Sequence, residues 1–463
     1  MIFSSFLTIY KIDKYKEEKH CDIQLYRITL GTHTNSVFHP DIRIPDDYNT
    51  IQEGINNAHP GDTIFVRSGI YKENIIVNKE NLQIIGENKY HTILDGDKKT
   101  HVIDIVSSNV TVKGFTIKNG WNKNEYLWDI SGVKINASNI KIINNVITSN
   151  RLGITTITGT YNHTITDNEF LDDGLLFGNY VYNNYMSLKD YLHTVENNTV
   201  NGKPLFYIKN QKDFAIPPNA GQVILVNCTN ITVKNLDIKN TDFPIILTGC
   251  KNCLVENNKI DEIDGELILF LSENNTIKNN TVSNGLHGIC LDYGSKNNIV
   301  ENNTVTNNWV GISSLTKTSN NLIRGNHIYK NVVGLEITTY YAPFKCHDNV
   351  IVNNFIKNNR VGIEINEGSH HHILMKNTIT LNIVYGLIIK NSNNITIKNN
   401  NFKNNLLFDS TFANSKDNIW YNNYWNRPRI LPKIIFGYKK HNNLFIPWIN
   451  IDKKPAKKPF LPL

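Results

Sequence analysis

The chain has 463 residues, 40% of them hydrophobic and 19% charged, which supports a large buried core and excludes a generally disordered protein. The formal net charge of +7 is spread along the sequence apart from KKPAKK at 453–458, and no basic face with interleaved aromatic residues indicates a nucleic-acid partner. No apolar run approaches the roughly 18 residues that cross a bilayer, so we expect no transmembrane segment.

Residues 1–41 are predicted to be an N-terminal extension. They begin with MIFSSFLTIYKIDKYKEEKHC, which has a short apolar stretch but neither a basic start nor a small-residue cleavage site. There is therefore no clear signal peptide, and three interpretations stay open: a degenerate signal, a mispredicted start, and an ordinary chain beginning.

A short capping helix is predicted next. Thr50 to Glu53 form a capping box, in which each side chain accepts a hydrogen bond from the other residue's main-chain N–H. Ile51 and Ile55 share one face, and Pro60 with Gly61 ends the helix. We expect the helix to cover the amino-terminal end of a domain at 42–416.

That domain is built from a repeat. An apolar residue recurs at intervals of 22 or 23 residues, with one interval of 28, at Ile238, Ile260, Val282, Val305, Ile328, Ile356, Ile379 and Phe402. The flanking β-branched residues alternate with polar ones and show no helical period, which predicts strands and turns. We predict an all-β, single-stranded right-handed parallel β-helix, a solenoid with coils of about 23 residues.

Columns of equivalent residues support this register. Small residues recur ten positions before the apolar anchor, asparagines recur seven and two positions before it, and opposite charges alternate four positions before it. An asparagine tolerates left-handed backbone at a tight turn and can hydrogen-bond to the next coil. We therefore expect asparagine ladders at the turns, with a structural rather than a chemical role.

Three insertions interrupt the repeat, at 119–131, 171–192 and 338–345, and all three are rich in Trp or Tyr. Beyond 416 the sequence leaves the period and becomes rich in Trp, Tyr and Pro. We predict an irregular cap with a basic tail at 417–463, in which Trp420, Trp425 and Trp448 pack over the last coil. A sugar-stacking platform is the alternative for those tryptophans.

Three segments carry a family resemblance. TIQEGINNAHPGDTIFVRSGIYKENI (50–75) resembles the opening of pectate-lyase-like β-helix proteins, while HTVENNTVNGKPLFYIKN (193–210) and NYWNRPRILPK (423–433) are similar to NosD-like proteins. The resemblance covers roughly residues 42–459. It implies a β-helix of the carbohydrate-binding and sugar-hydrolysis group, at the cell surface or outside the cell, with a polysaccharide or glycan as its partner. The family's namesake is a periplasmic protein tied to copper-centre assembly.

One outward column is the candidate for catalysis. Glu336 and Glu364 should lie one coil apart, close enough to separate their pKa values into an acid and a base or nucleophile. His287 and Asp292 lie two coils before Glu336. The catalytic motifs of pectinase-type hydrolases and the calcium carboxylates of β-helix lyases are not found in the sequence, and a solvated strand face is the structural alternative.

Aromatic side chains are the candidates for sugar stacking, because flat rings pack against the apolar faces of sugars. They are Trp121, Trp128, Trp309, Tyr340 and Tyr341.

No metal site or cofactor is predicted. In SHHH (369–372), adjacent histidines point to alternate sides of a strand, and His371 and His372 occupy asparagine columns. Cys250 and Cys253 have a zinc or redox spacing, but Cys250 lies in the small-residue column above Cys228. Packing is the preferred interpretation, and the geometry permits a disulfide between Cys228 and Cys250.

Three functional hypotheses follow. The first is a non-catalytic glycan-binding module that uses the aromatic insertions. The second is a carbohydrate-active hydrolase, lyase or epimerase centred on Glu336, Glu364, His287 and Asp292. The third, from the resemblance alone, is a copper-centre maturation factor. The sequence does not indicate the oligomeric state.

Overall fold

The computed structural model describes residues 39–122, 130–179, 186–339, 344–441 and 444–461. The chain winds into about 16 coils of roughly 23 residues as a right-handed parallel β-helix, which confirms the predicted fold. The predicted register is also confirmed, because Ile260 pairs with Val282, Val282 with Val305 and Val305 with Ile328. Among the described residues, no helix is long and apolar enough to span a membrane.

The amino-terminal half of the solenoid has three parallel sheets. Sheet A consists of Ile42–Ile44, Thr63–Val66, Gln83–Gly86, Thr111–Lys113, Lys141–Ile143, Thr164–Thr166 and Thr194–Glu196. Sheet B consists of Gly69–Tyr71, Thr92–Asp95, Thr116–Lys118, Val146–Thr148, Glu169–Leu171 and Thr199–Val200. Sheet C consists of Ile75–Val77, Ile103–Ile105, Val133–Ile135, Ile154–Ile157 and Leu175–Asn179.

The carboxyl-terminal half has three further sheets. Sheet D consists of Lys203–Lys209, Gln222–Val226, Ile245–Thr248, Leu267–Phe270, His287–Asp292, Val310–Ser314, Val333–Ile337, Val361–Ile365, Tyr385–Lys390, Phe408–Ala413, Lys433–His441 and Leu444–Asp452. Sheet E consists of Lys212–Ala215, Thr229–Lys234, Leu254–Glu256, Thr276–Lys278, Ile299–Glu301, Leu322–Arg324, Val350–Val352, Ile373–Met375, Thr396–Lys398 and Ile419–Tyr421. Sheet F consists of Asp237–Thr241, Lys259–Ile263, Thr281–Ser283, Thr304–Thr306, His327–Tyr329, Phe355–Lys357, Thr378–Thr380, Asn401–Lys403 and Tyr424–Trp425.

The described helices are short. The α-helix Ile51–Asn57 begins at the predicted capping box: the Thr50 hydroxyl accepts from the Glu53 N–H at 3.1 Å, and the Glu53 carboxylate accepts from the Thr50 N–H at 3.2 Å. Ile51 and Ile55 are fully buried in the core of the amino-terminal half. A 3₁₀ helix, Leu188–Tyr191, lies in the 171–192 insertion.

The asparagine ladders are present, but consecutive asparagines divide the two roles that the sequence analysis gave to one side chain. The exposed first residue of a pair takes the left-handed backbone, as Asn302 does with φ 55°. The second is buried, and the Asn303 Oδ1 accepts from the main-chain N–H of Asn280 at 2.9 Å and from its Nδ2 at 3.0 Å. The buried neighbour bonds to the main chain of the adjacent coil, whereas some turning residues bond only side chain to side chain along the exposed edge, as the Asn422 Nδ2 does to the Asn399 Oδ1 at 2.8 Å.

A third ladder was not predicted. It runs through Asn308, Asn331, Asn359, Asn382 and Asn405, three positions after the apolar anchor. Two ladders end at aspartates, since a carboxylate accepts hydrogen bonds and needs no further acceptor. Asp173 accepts from Asn150, and Asp452 accepts from Asn423 and from the Trp425 indole.

The carboxyl-terminal cap is more regular than expected. Stacked coils continue to Trp425, beyond residue 416, and an antiparallel hairpin of Lys433–His441 and Leu444–Asp452 follows. Trp420 and Trp425 are buried as predicted, and the Trp425 ring stacks on Phe402 at 4.5 Å. Trp448 is 46% exposed, with the Lys439 ammonium 3.5 Å from its ring centroid. Beyond the last coil, where the 23-residue period has ended, these two strands pair with each other.

Candidate functional site

The outer side of sheet D carries a polar column over four successive strands, formed by Cys290, Ser313, Glu336 and Glu364. Glu336 pairs in register with Glu364, as predicted, so their Cα atoms are one strand spacing apart, about 4.8 Å. Glu336 is only 9% exposed. The two predicted carboxylates therefore lie together in a largely desolvated place.

A cation that the sequence analysis did not find accompanies this pair. The Lys390 Nζ lies 2.6 Å from the Glu364 Oε1, across one further coil. Lys390 falls two residues after the strand position that pairs with Glu364, on the same face. Its ammonium offsets part of the repulsion between the two glutamates.

His287 lies on the same outer surface because its strand bends at Gly288. A Cβ on Gly288 would lie 2.5 Å from an inward side chain, Val305, and the next residue, Ile289, is fully buried. Because Gly288 and Ile289 both face inward, His287 before them and Cys290 after them lie on the same, outer side of the strand. A regular strand would place residues three apart on opposite faces.

Glu266, on the preceding coil, contacts His287. The Glu266 Oε2 lies 2.7 Å from the His287 Nδ1, and both side chains are about one-eighth exposed (13% and 12%). Burial disfavours the imidazolium, but the Glu266 carboxylate, with smaller contributions from Glu336 and Asp292, outweighs it and raises the pKa of His287 above its ordinary value. No column marks Glu266, which precedes its strand, so the sequence offered no signal for it.

Cys290 completes a compact group with these two residues. One ligand atom each of Glu266, His287 and Cys290 lies within 4.8 Å of the other two. Burial, reinforced by Glu266 and Asp292, raises the pKa of the Cys290 thiol, so the thiol is a poor nucleophile without a neighbouring cation. The Ser313 Oγ lies 3.3 Å from the His287 Nδ1, which is also the nitrogen that faces Glu266. In a serine-protease-like triad the serine and the carboxylate contact opposite ring nitrogens, so Ser313, His287 and Glu266 do not form one.

Asp292 ends the strand His287–Asp292, and the next residue, Tyr293, lines a cleft. The Asp292 Oδ1 accepts from the Tyr293 N–H at 2.7 Å, and Asp292 is 3% exposed. The cleft beyond it has a volume of about 390 Å³. Its lining includes Tyr293, Phe344, Lys296, Lys317 and His347.

The 171–192 insertion covers the early part of the outer face. Tyr191 is fully buried, with its ring centroid 6.0 Å from that of Phe270, and Phe270 lies 6.1 Å from Tyr293. Met186 lines the cleft. In its described part, the insertion therefore forms one wall of the groove.

The predicted stacking residues are dispersed. Trp309 is 57% exposed at the beginning of a sheet D strand, whereas the cleft lies at the strand's other end, roughly 17 Å away over five residues. Trp121 is 37% exposed in the amino-terminal half, with the Lys98 ammonium 5.6 Å from its ring. Trp128, Tyr340 and Tyr341 lie outside the described residues.

The histidine run has the structural role that was predicted. The His372 Nδ1 accepts from the Asn349 N–H at 3.1 Å in place of a ladder asparagine, and burial lowers the pKa of His372 to about 3. His371 has the left-handed backbone of the turning position, with φ 58°. His370 stacks on His347 at 5.5 Å.

The cysteines of the solenoid interior are free thiols. Cys228, Cys250 and Cys253 are buried, and the disulfide that the spacing permitted between Cys228 and Cys250 is not formed. The Cys250 thiol donates to the carbonyls of Leu225 and Thr248, as the Ser272 hydroxyl one coil later donates to those of Leu247 and Phe270. This supports a packing role.

Known proteins with similar sequences or structures include several β-helix enzymes. A putative pectinesterase/pectinesterase inhibitor 22 from Arabidopsis thaliana is 38% identical over 76 residues, which is 14% of this chain and 14% of that protein. The Azotobacter vinelandii mannuronan C-5 epimerase AlgE4 A-module shares 12% identity, with 78% of this chain and 86% of that one covered and a TM-score of 0.35. A PL6 family polysaccharide lyase from Pseudopedobacter saltans shares 15% identity, with 73% and 92% covered and a TM-score of 0.30. Similarities with such low coverage, identity or TM-score identify no activity for this chain.

A family model described as "Periplasmic copper-binding protein (NosD)" matches residues 191–343 and 344–444, which is more than half of the chain. The chain therefore belongs to the NosD family of parallel β-helix proteins.

Proposed function

We propose that the protein binds a polysaccharide that carries carboxylate groups, in the cleft at the end of the sheet D strands. The observation that carries the proposal is that one cleft of about 390 Å³ combines two aromatic side chains, Tyr293 and Phe344, with two lysines, Lys296 and Lys317. Aromatic faces hold the apolar side of a sugar ring, and ammonium groups attract a uronate carboxylate. The volume lies within the range of small-molecule sites.

The attraction for an acidic ligand falls mainly to Lys317, because the Lys296 ammonium already has a carboxylate partner, its Nζ lying 3.3 Å from a Glu273 oxygen. The Lys317 Nζ lies 5.6 Å from the Phe344 ring centroid, which places the aromatic surface and a cation side by side. Tyr340 and Tyr341, predicted to bind sugar, precede Phe344 in the same insertion and remain proposed contributors.

We place the protein outside the cytoplasm, at the cell surface or in an extracellular compartment. The description of the matching family, which names a periplasmic protein, supports this proposal.

A glycan array that includes neutral polymers, polygalacturonate and alginate tests the proposal. We expect retention of acidic polymers that weakens as salt rises, because surface charges are screened. Phe344→Ala and Tyr293→Ala should each weaken binding by roughly tenfold, the equivalent of one aromatic stacking contact of about 1.4 kcal/mol. Lys317→Gln should reduce both the affinity and its salt dependence.

Trp309→Ala is the matched control, because it removes an exposed aromatic ring at the opposite edge of the same sheet. Its binding should equal that of the wild type. Equal losses from Trp309→Ala and Phe344→Ala, or no retention of any acidic polymer, would contradict the proposal.

A polysaccharide-cleaving or epimerising activity is the second candidate. It is favoured by the register that places Glu336 beside Glu364, with their Cα atoms one strand spacing of about 4.8 Å apart, and by the Lys390 contact with Glu364. In this scheme Glu364, which contacts the Lys390 ammonium, is the nucleophile or base and Glu336 is the acid. Turnover that is lost in Glu336→Gln and Glu364→Gln, while glycan retention persists, would establish it. Reducing-end, unsaturated-product and epimer assays on the retained polymer provide the measurement.

Copper-centre maturation, the third hypothesis, rests on the family description. The donor set that fits a metal ion among the described residues is Glu266, His287 and Cys290. A copper ion held there would supply redox chemistry. An unchanged melting temperature on addition of copper would remove this hypothesis.

A further inference from the structure

Glu266, His287 and Cys290 converge from two adjacent coils on one point beneath the outer surface of sheet D. Glu266 immediately precedes the strand Leu267–Phe270, while His287 and Cys290 belong to the next strand of the sheet. One ligand atom of each lies within 4.8 Å of the other two, and Cys290 is fully buried. The bend at Gly288 is what brings the imidazole and the thiol to the same side.

The contact between Glu266 and His287 leaves one oxygen incompletely satisfied. The Glu266 Oε2 lies 2.7 Å from the His287 Nδ1, but this oxygen is buried and makes no well-aligned hydrogen bond to a described residue. A carboxylate oxygen and a neutral imidazole nitrogen each offer a lone pair to a metal ion, so a cation bound by both atoms would satisfy the buried oxygen.

The structure assigns to Glu266, His287 and Cys290 a binding site for one divalent d-block ion of the zinc type. A thiolate, an imidazole and a carboxylate are the three donor classes that zinc accepts at about 2.0–2.3 Å. The cuprous ion prefers sulfur ligands, and a carboxylate is a poor partner for it. Three protein ligands would leave one tetrahedral position open, and the Ser313 Oγ is close to the donor set, 3.3 Å from the His287 Nδ1.

Metal binding would change the protonation of the thiol, because a coordinated thiol is deprotonated outright. Binding should therefore release a proton and become tighter as the pH rises. This site is separate from the glycan cleft, and its failure would leave the proposed function intact.

The test is a titration of the chelator-treated full chain with Co²⁺, followed by Zn²⁺ competition. We expect a thiolate-to-cobalt charge-transfer band in the near ultraviolet that saturates at one equivalent and is abolished by Zn²⁺. Cys290→Ser should lose the band, and His287→Gln and Glu266→Gln should weaken binding by roughly 100-fold or more. Zn²⁺ should raise the melting temperature of the wild type but not of these variants.

Cys250→Ser is the matched control, since it removes a buried thiol from a column that already contains Ser272 and Ser295. It should keep the band. If Cys290→Ser fails to fold, the His287→Gln and Glu266→Gln titrations decide the question. Absence of the band in the wild type, its survival in Cys290→Ser, its loss in Cys250→Ser, or binding of Cu⁺ without Co²⁺ and Zn²⁺ would each overturn the assignment.

Discussion

The two asparagines of a single turn, Asn302 and Asn303, should differ sharply in their contribution to stability. Asn303→Ala removes four side-chain hydrogen bonds: two donated by its Nδ2 to the carbonyl of Ile277 and to Asn326, and two accepted by its Oδ1 from Asn280. Asn302→Ala removes an exposed side chain and leaves a non-glycine residue at φ 55°. The pair therefore separates ladder bonding from turn geometry.

The expected loss in free energy of unfolding depends on which groups each substitution leaves without a partner. In Asn303→Ala the buried main-chain N–H of Asn280 loses its acceptor, which costs about 1–3 kcal/mol, and three further lost bonds cost about 1 kcal/mol each. The sum is about 4–6 kcal/mol. In Asn302→Ala the left-handed conformation costs about 1 kcal/mol more than it does for asparagine, and Asn302→Gly should be nearly neutral.

Hydrogen exchange read by mass spectrometry is the suitable measurement, because coils that contact only their neighbours can open locally before the whole chain unfolds. Asn303→Ala should accelerate exchange in the coils that contain Asn280 and Asn326, with a matching loss in denaturant unfolding. Asn302→Ala should leave those coils near wild-type protection. The reasoning is refuted if Asn302→Ala destabilises the chain as much as Asn303→Ala does.

Three further predictions concern charged groups. Burial raises the pKa of Asp173 from 3.8 to about 7, so its contribution to stability is complete below pH 3.8 and is lost as the pH rises through 7. Melting temperature should fall between about pH 4 and 7 in the wild type, and Asp173→Asn should flatten that slope; an unchanged slope would exclude Asp173 as its source. Lys390→Met should lower the free energy of unfolding by about 1–3 kcal/mol at pH 7, because it leaves the largely buried Glu364 without its cation. Glu364→Gln in the same chain should recover most of that loss in a double-mutant cycle, and additive losses would disprove the coupling. Asp452→Ala removes the acceptor of the Asn423 ladder and should make the segment after 425 susceptible to limited proteolysis, whereas equal cleavage of wild type and variant would argue against its role as the end of the ladder.

Periodicity predicted the solenoid because stacked main-chain hydrogen bonds force equivalent residues into columns. The pairings of Ile260 with Val282 and of Glu336 with Glu364 follow from counting alone. Counting could not show that Asn302 turns the chain while Asn303 forms the ladder bonds, because both residues belong to the same motif. Only the backbone conformation shows which of the two turns the chain.

The candidate site was predicted in part. Glu336, Glu364 and His287 were found because they lie in or beside a column of the repeat. Glu266 and Lys390 were not found, because Glu266 precedes a short strand and Lys390 follows the end of the column. The side-chain contacts that define the site depend on the strand bend at Gly288, and one-dimensional spacing does not encode that bend.

The asparagine ladders are directional. The Asn280 N–H finds its acceptor on Asn303, which is 23 residues later in the chain, and the same offset recurs up the stack. A nascent chain leaving the ribosome therefore always carries one coil whose buried amides await the next turn of synthesis. Vectorial assembly would lag translation by one coil until Asp452, the final acceptor, emerges and closes the stack.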